Sequence, residues 1–169
     1  KIYEMGIESI PSESECYPAK LAHGHIEWLI GQHVDFIFYP ALFYERNEFQ
    51  DANNHYNCPI VTSYSENIKN NVEAIGRGEV VFKNPFMAFT SPELIAQSLI
   101  KEFPDIDASE ITDAVNAGWK ELEAVRQDMY HKGEEVIEYI EKNHSRAIVL
   151  AGRPYHIDPE INHGIPELI

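Results

Sequence analysis

The sequence predicts an α/β fold, a Rossmann-like, open and mostly parallel sheet flanked by helices, and three observations support it. Short apolar runs rich in β-branched and aromatic residues are separated by helical patterns. Those runs lack the in-and-out alternation of a sheet wetted on one face, so they read as strands covered on both sides. A helical pattern joined to a strand by two or three residues is half of a βα repeat.

The elements follow in order. A presumed first strand precedes the loop at residues 9–18. A helix over 18–31 opens at Pro18 and presents Leu21, Ile26, Trp28, Leu29 and Ile30. Residues 34–39 (VDFIFY) form a strand ended by Pro40, and 59–64 (PIVTSY) a second. Ser65 caps a helix reaching Ile75 and closing at Gly76 or Gly78. A third strand covers 79–82, or continues to Phe89 with Pro85 as an interruption. Ser91, Pro92 and Glu93 give a cap, a proline at the first helical position and an acidic residue, opening a helix that Pro104 stops.

Residues 109–143 sustain one helical stripe through Ile111, Val115, Gly118, Leu122, Val125, Met129, Val136 and Ile140. At about 1.5 Å per residue such a helix spans about 50 Å, so it is expected to bend or break at Gly118 or Gly133, or to bridge two lobes. Residues 146–151 (RAIVLA) read as a last strand leading into the loop GRPYHIDPEINHG. In open α/β sheets ligands sit beyond the carboxyl ends of the strands, which selects the loops at 9–18, 39–57, 64–67 and 152–164.

The 169 residues suit a single α/β domain or lobe. The chain opens directly in KIYEMGIESI and stops in GIPELI where a helix is starting, which reads as a fragment of a longer multidomain polypeptide. The net charge of −15, with no Lys/Arg cluster longer than two, excludes a nucleic-acid partner. It leaves room for a phosphorylated small molecule, which one Arg can hold. No apolar run approaches the roughly 20 residues that cross a bilayer, and no signal segment opens the chain, so no membrane partner is expected and the reading is cytoplasmic. Two cysteines 42 positions apart in such a chain read as buried thiols or ligands, not as a disulfide.

Cys16 immediately precedes the Pro18 helix, where the positive end of the helix dipole favours the thiolate. It reads as a metal ligand or nucleophile, or as a small thiol capping a turn. Cys58, in NCPI, stands in a parallel context at a strand edge before a proline, which points to a shared site. Two thiolates are too few for a closed zinc or iron–sulfur site, so His23, His25, His55 or an outside group would have to join them. The carboxylates Glu8, Glu13 and Glu15 read as solvated loop charges. The loop GRPYHIDPEINHG concentrates Arg153, Tyr155, His156, Asp158, Glu160, Asn162 and His163. In a ligand-facing reading Arg153 pairs a carboxylate or phosphate while His156 and Asp158 form a hydrogen-bonded acid/base pair. In a structural reading Asp158 and Asn162 cap turns. A metal site of His156, Asp158 and His163 is a third reading. The chain has no GxGxxG, GxxxxGK[ST], GxSxG or HExxH, which tells against a self-contained nucleotide-binding enzyme, a serine hydrolase and a zinc protease.

The stretches SESECYPAKLAHGHI, VDFIFYPALFYERN, NCPIVTSYSENI and GRPYHIDPEINHGIPELI resemble the domain that follows the activase modules in large acyl-CoA dehydratase activase proteins, of the CoA-substrate-specific enzyme activase family. That domain is itself similar to subunits of 2-hydroxyacyl-CoA dehydratases and benzoyl-CoA reductases. The resemblance spans residues 7–169. It implies tandem Rossmann-like lobes, a [4Fe-4S] cluster held by cysteines at strand ends, and ATP-dependent activase modules that deliver electrons to a dehydratase-like partner. It places Cys16 and Cys58 as cluster thiolates and implies a third cysteine in YPALFYE, where this chain has Ala41. A CoA ester is the implied substrate or ligand, with Arg153, Tyr155, His156, Asp158 and His163 as its candidate contacts. The function expected is an iron–sulfur, or degenerate-cluster, redox module of that system. The alternative is a non-catalytic module that binds a CoA ester or a partner.

Overall fold

The computed structural model describes residues 1–169 and is α/β, 58% helical, with two small parallel two-stranded sheets flanked by helices. The chain divides into two compact units, Lys1–Val115 and Asn116–Ile169.

Unit one opens on a short helix, α1 (Ile2–Gly6), and a 3-10 turn at Ile7–Ser9, where a first strand was expected. Helix α2 (Tyr17–Gly31) matches the expected span to one residue, with Cys16 at its N-cap and Pro18 in its first turn. Close approach of α1 to α2 depends on two glycines. A Cβ on Gly24 would collide with the Ile2 carbonyl, and one on Gly6 with the Gly24 backbone.

Strand β1 (Phe36–Phe38) is shorter than the expected run, and past Pro40 the chain enters the second sheet as β2 (Ala41–Glu45), a stretch the sequence presented as loop. The later pair repeats this interruption: β3 (Val81–Lys83) and β4 (Phe86–Phe89) flank Pro85, as the sequence suggested. Phe36 pairs with Val81 and Ala41 with Phe86, an offset of 81 − 36 = 86 − 41 = 45 on both sides of the prolines, which an irregularity between Leu42 and Tyr44 shortens by one residue farther along β2. Pro40 therefore stands opposite Pro85. Neither has an N–H to donate, and the ladder is interrupted there in both strands at once. Backbone bonds on either side, Tyr39 N–H to Lys83 O at 2.8 Å and Ala41 N–H to Pro85 O at 2.9 Å, keep the two segments in step.

Residues 59–64 are not a strand. They form the first turns of α3 (Pro59–Asn71), capped by Cys58 and followed by α4 (Glu73–Gly76). Strand propensity in PIVTSY is overridden by packing. Proline at the first helical position starts the helix, and the Thr62 hydroxyl and the Asn57 amide both bind the Leu42 carbonyl, at 3.4 and 3.0 Å, holding the helix start on β2. Ser65, read as a cap, is buried inside the helix. The core gathers Ile26 of α2, Ile37 of β1, Ile68 of α3 and, behind them, Val72, Ala74 and Val80. Helix α5 (Pro92–Glu102) starts as expected, with the Ser91 hydroxyl accepting from the Leu94 amide at 3.4 Å. Phe103, just past its end, packs against Phe38 with ring centroids 5.4 Å apart.

Helix α6 (Ala108–Lys142) runs from unit one into unit two as 35 continuous residues, without the break expected at Gly118 or Gly133. A Cβ at either glycine would meet nothing within 4 Å, so neither marks a close approach. Unit two continues through residues 146–151, which are not a strand. Ile148, Val149 and Leu150 are 71%, 90% and 58% exposed. A β-branched run becomes a strand only when a neighbour supplies ladder hydrogen bonds, and none pairs with it. Unit two ends in a 3-10 turn (Pro154–Ile157), α7 (Pro159–Asn162) and α8 (Ile165–Leu168). No helix is long and apolar enough to cross a membrane.

Candidate functional site

Two places gather the sequence's chemistry-bearing residues, one in each unit. In unit one, Cys16 and Cys58 occupy equivalent positions: each is the N-cap of a helix, α2 or α3, with proline in the first turn. The parallel is closer than the sequence suggested, since Cys58 begins a helix and not a strand. Both thiols are free and exposed. The first-turn amides of a helix carry partial positive charge, and each cysteine stands next to such a turn.

Tyr64, on α3, links them. Its hydroxyl is 3.9 Å from the Cys16 sulfur. Burial holds the Tyr64 phenol well above its ordinary ionisation range, with the Cys16 hydrogen bond adding to the effect and the Cys58 charge contributing less. Tyr64 is thus a neutral hydroxyl beside the Cys16 sulfur. A second link ties the loop before α2 to α3: Asn67 donates to a Glu15 carboxylate oxygen at 2.7 Å. The other Glu15 oxygen is buried without a partner, so Glu15 is not the solvated loop charge it resembled. The sequence placed Tyr64 and Asn67 at the two ends of a ligand-facing loop after a strand, whereas both lie within α3. They recur three residues apart on α3, a signal hidden once residues 59–64 were read as a strand.

The histidines considered as further ligands are used elsewhere. His23 is 1% exposed, with Nδ1 at 3.0 Å from the Ser9 hydroxyl, which itself donates to the Gly6 carbonyl. Burial depresses the His23 pKa below its ordinary value, and the Glu15 charge partly offsets this. His25 lines an apolar groove with Leu21, Ile26, Phe38, Tyr39 and Tyr64. His55 packs edge-on to Tyr44, with ring centroids 6.0 Å apart. Ala41, where the resemblance implied a third cysteine, is 1% exposed as the first residue of β2. No group of three His, Cys, Asp or Glu side chains is placed to hold a metal ion.

In unit two, the loop after Leu150 folds into a cup. Pro154 and Pro159 each start a helical turn. The Arg153 amide donates to His156 Nδ1 at 3.0 Å, which leaves the imidazole proton on Nε2. A Cβ on Gly152 would lie 2.6 Å from that Nδ1, so glycine is what lets the ring close over the chain. Asp158 caps α7 by accepting from the Glu160 amide at 2.9 Å, and does not pair with His156. Asn162, buried, donates to the Ile157 carbonyl at 3.2 Å and accepts from the Gly164 amide at 2.9 Å, pinning the end of the cup. A cleft of about 730 Å³ opens here, lined by Arg153 and His156 among largely apolar residues. Of the five residues expected to face a ligand, these two line it. Tyr155 stacks edge-on with His156 at 4.5 Å, Asp158 is a cap, and His163 holds a left-handed backbone conformation at φ 52°.

The family model described as CoA enzyme activase uncharacterised domain matches residues 1–169. No curated protein and no solved structure matches the chain.

Proposed function

Because this chain belongs to the family described as CoA enzyme activase uncharacterised domain, we propose that it works as a thiol-bearing redox module of an ATP-driven activase system acting on a 2-hydroxyacyl-CoA dehydratase-like partner. The observation that carries the proposal is the matched placement of Cys16 and Cys58 at two helix N-caps, with the Tyr64 hydroxyl of the Cys58 helix 3.9 Å from the Cys16 sulfur. Soft sulfur ligands suit an iron–sulfur cluster in kind. They do not suit it in number, since the chain has two cysteines and a [4Fe-4S] cluster is ordinarily held by four. A cluster on this module would therefore be a shared one, with Cys16 and Cys58 among its ligands and other polypeptide or small ligands completing it, and it would supply one-electron transfer. What this chain's own residues supply is two thiols at helix N-caps and the Tyr64 hydroxyl beside Cys16.

Anaerobic reconstitution with iron and sulfide, followed by iron and acid-labile sulfide analysis, tests this. The proposal expects bound iron that falls in both Cys16→Ser and Cys58→Ser. Iron content unchanged in both variants, or no bound iron with the activase partner present, would overturn it.

A second reading, a module binding a CoA ester through the unit-two cup, is favoured by one observation: Arg153 and His156 line the 730 Å³ cleft, within the size range of small-ligand sites. Titration calorimetry with acetyl-CoA and benzoyl-CoA tests it. Heat of binding lost in Arg153→Gln supports it, and no heat for the unaltered chain contradicts it.

A further inference from the structure

The chemistry of the unit-two cleft is narrower than a CoA ester demands. Its walls are aliphatic, with Leu150, Ile157, Ile161 and Ile165 among them. Leu150, Ile157 and Ile165 are 58%, 83% and 48% exposed, so apolar surface is left for a ligand to cover. Two polar donors interrupt the apolar lining. Arg153 brings a guanidinium, always charged and shaped for a planar oxyanion. His156 brings Nε2–H, because its Nδ1 is occupied by the Arg153 amide at 3.0 Å. That bond and the absence of a side chain at Gly152 fix the imidazole against the Arg153 backbone.

Glu167, on α8, also lines the cleft. One cation and one carboxylate in the same cleft disfavour a doubly charged ligand and tolerate a singly charged one.

We propose that this cleft binds an organic monocarboxylate with an uncharged branched-aliphatic or aromatic body, the carboxylate meeting Arg153 and His156 and the body covering Leu150, Ile157, Ile161 and Ile165. The proposal rests on the second reading above in using the same cleft, but replaces the thioester by the free acid. A planar carboxylate takes two parallel bonds from a guanidinium and a third from the imidazole, while the aliphatic wall excludes water from the body of the ligand. The recognised species is then the unactivated acid that a thioester-forming or thioester-cleaving reaction consumes or releases.

Calorimetric titration of the full 169-residue chain with phenylacetate and 4-methylpentanoate tests this, with phenylacetamide, phenyl phosphate and benzoyl-CoA as comparisons. The carboxylates are expected to bind at least tenfold more tightly than the neutral amide and more tightly than the phosphate dianion, and to lose at least tenfold in Arg153→Gln. Gly152→Ala, which displaces the His156 ring and leaves Arg153 in place, is expected to weaken them as well, and far-UV circular dichroism checks that both variants fold. Carboxylate binding without CoA-ester binding keeps the proposal and removes the second reading. CoA-ester binding with the amide equal to the carboxylate keeps the second reading and overturns the proposal. Absence of binding by any of the five ligands overturns both.

Discussion

The Tyr64 hydroxyl on α3 lies 3.9 Å from the Cys16 sulfur at the start of α2, so it ties the helix that Cys58 opens to the one that Cys16 opens. A thiol is a weak hydrogen-bond partner, so the bond contributes little to stability. Tyr64→Phe is expected to cost less than about 1 kcal/mol in urea unfolding, since the ring stays and only the hydroxyl goes. A cost above about 3 kcal/mol would mean that the hydroxyl is a structural anchor and not a partner of the thiol.

Two kinds of glycine give opposite predictions. Gly24→Ala forces a Cβ into the Ile2 carbonyl and should cost about 1–3 kcal/mol, with faster amide exchange in α1 as that helix lifts from α2. Gly118→Ala and Gly133→Ala sit in α6 with nothing within 4 Å of the new Cβ. Each should stabilise that helix by about 0.5–1 kcal/mol, read as a rise in melting temperature.

Ile68 is fully buried at the centre of the unit-one core, 0% exposed. Ile68→Ala is expected to cost about 2–5 kcal/mol by chemical denaturation, the lost transfer energy plus the cavity left between α2, α3 and β1. A cost below about 1 kcal/mol would show that α3 does not pack as described.

His23 and Glu27 give the protein's pH dependence, with opposite signs. Burial lowers the His23 pKa in the folded state from its ordinary 6.5, so the unfolded chain takes up that proton first. The stability His23 contributes is therefore present above pH 6.5 and is lost as pH falls below it. Burial raises the Glu27 pKa from its ordinary 4.5, with the Ser9 hydrogen bond opposing, so its contribution is present below pH 4.5 and is lost as pH rises through the raised folded value. Between neutrality and about pH 5.5 the His23 effect governs, and unfolding free energy should fall with pH. His23→Gln should flatten that slope; an unchanged slope would show that His23 is not buried neutral.

Helices α2, α5 and α6 were legible because their signals are local: proline or serine at the start, and a stripe held over ten or more residues. Both proline-broken strands were half legible. Pro85 was seen as an interruption within a strand, whereas Pro40 was read as an end, because only the 45-residue register sets one proline opposite the other. Residues 59–64 and 146–151 carry similar β-branched composition, yet one is helix and the other extended and unpaired. Composition did not separate them, because tertiary contacts decide both. One segment is bound at its start to the Leu42 carbonyl, while the other has no strand beside it. At the candidate site, the cysteines and Arg153 were legible as unusual residues in loops. Tyr64, Asn67 and the commitment of His23 to Ser9 emerge only when α1, α2 and α3 are packed together.

Whether Cys16 and Cys58 face one shared site, as proposed above, is measured directly by a bifunctional bimane reagent that fluoresces only when both of its arms are alkylated. The predicted result is bright, stoichiometric fluorescence from the reduced unaltered chain and none from Cys16→Ser or Cys58→Ser. Full alkylation of both thiols by a monofunctional reagent, with no fluorescence from the bifunctional one, would contradict it.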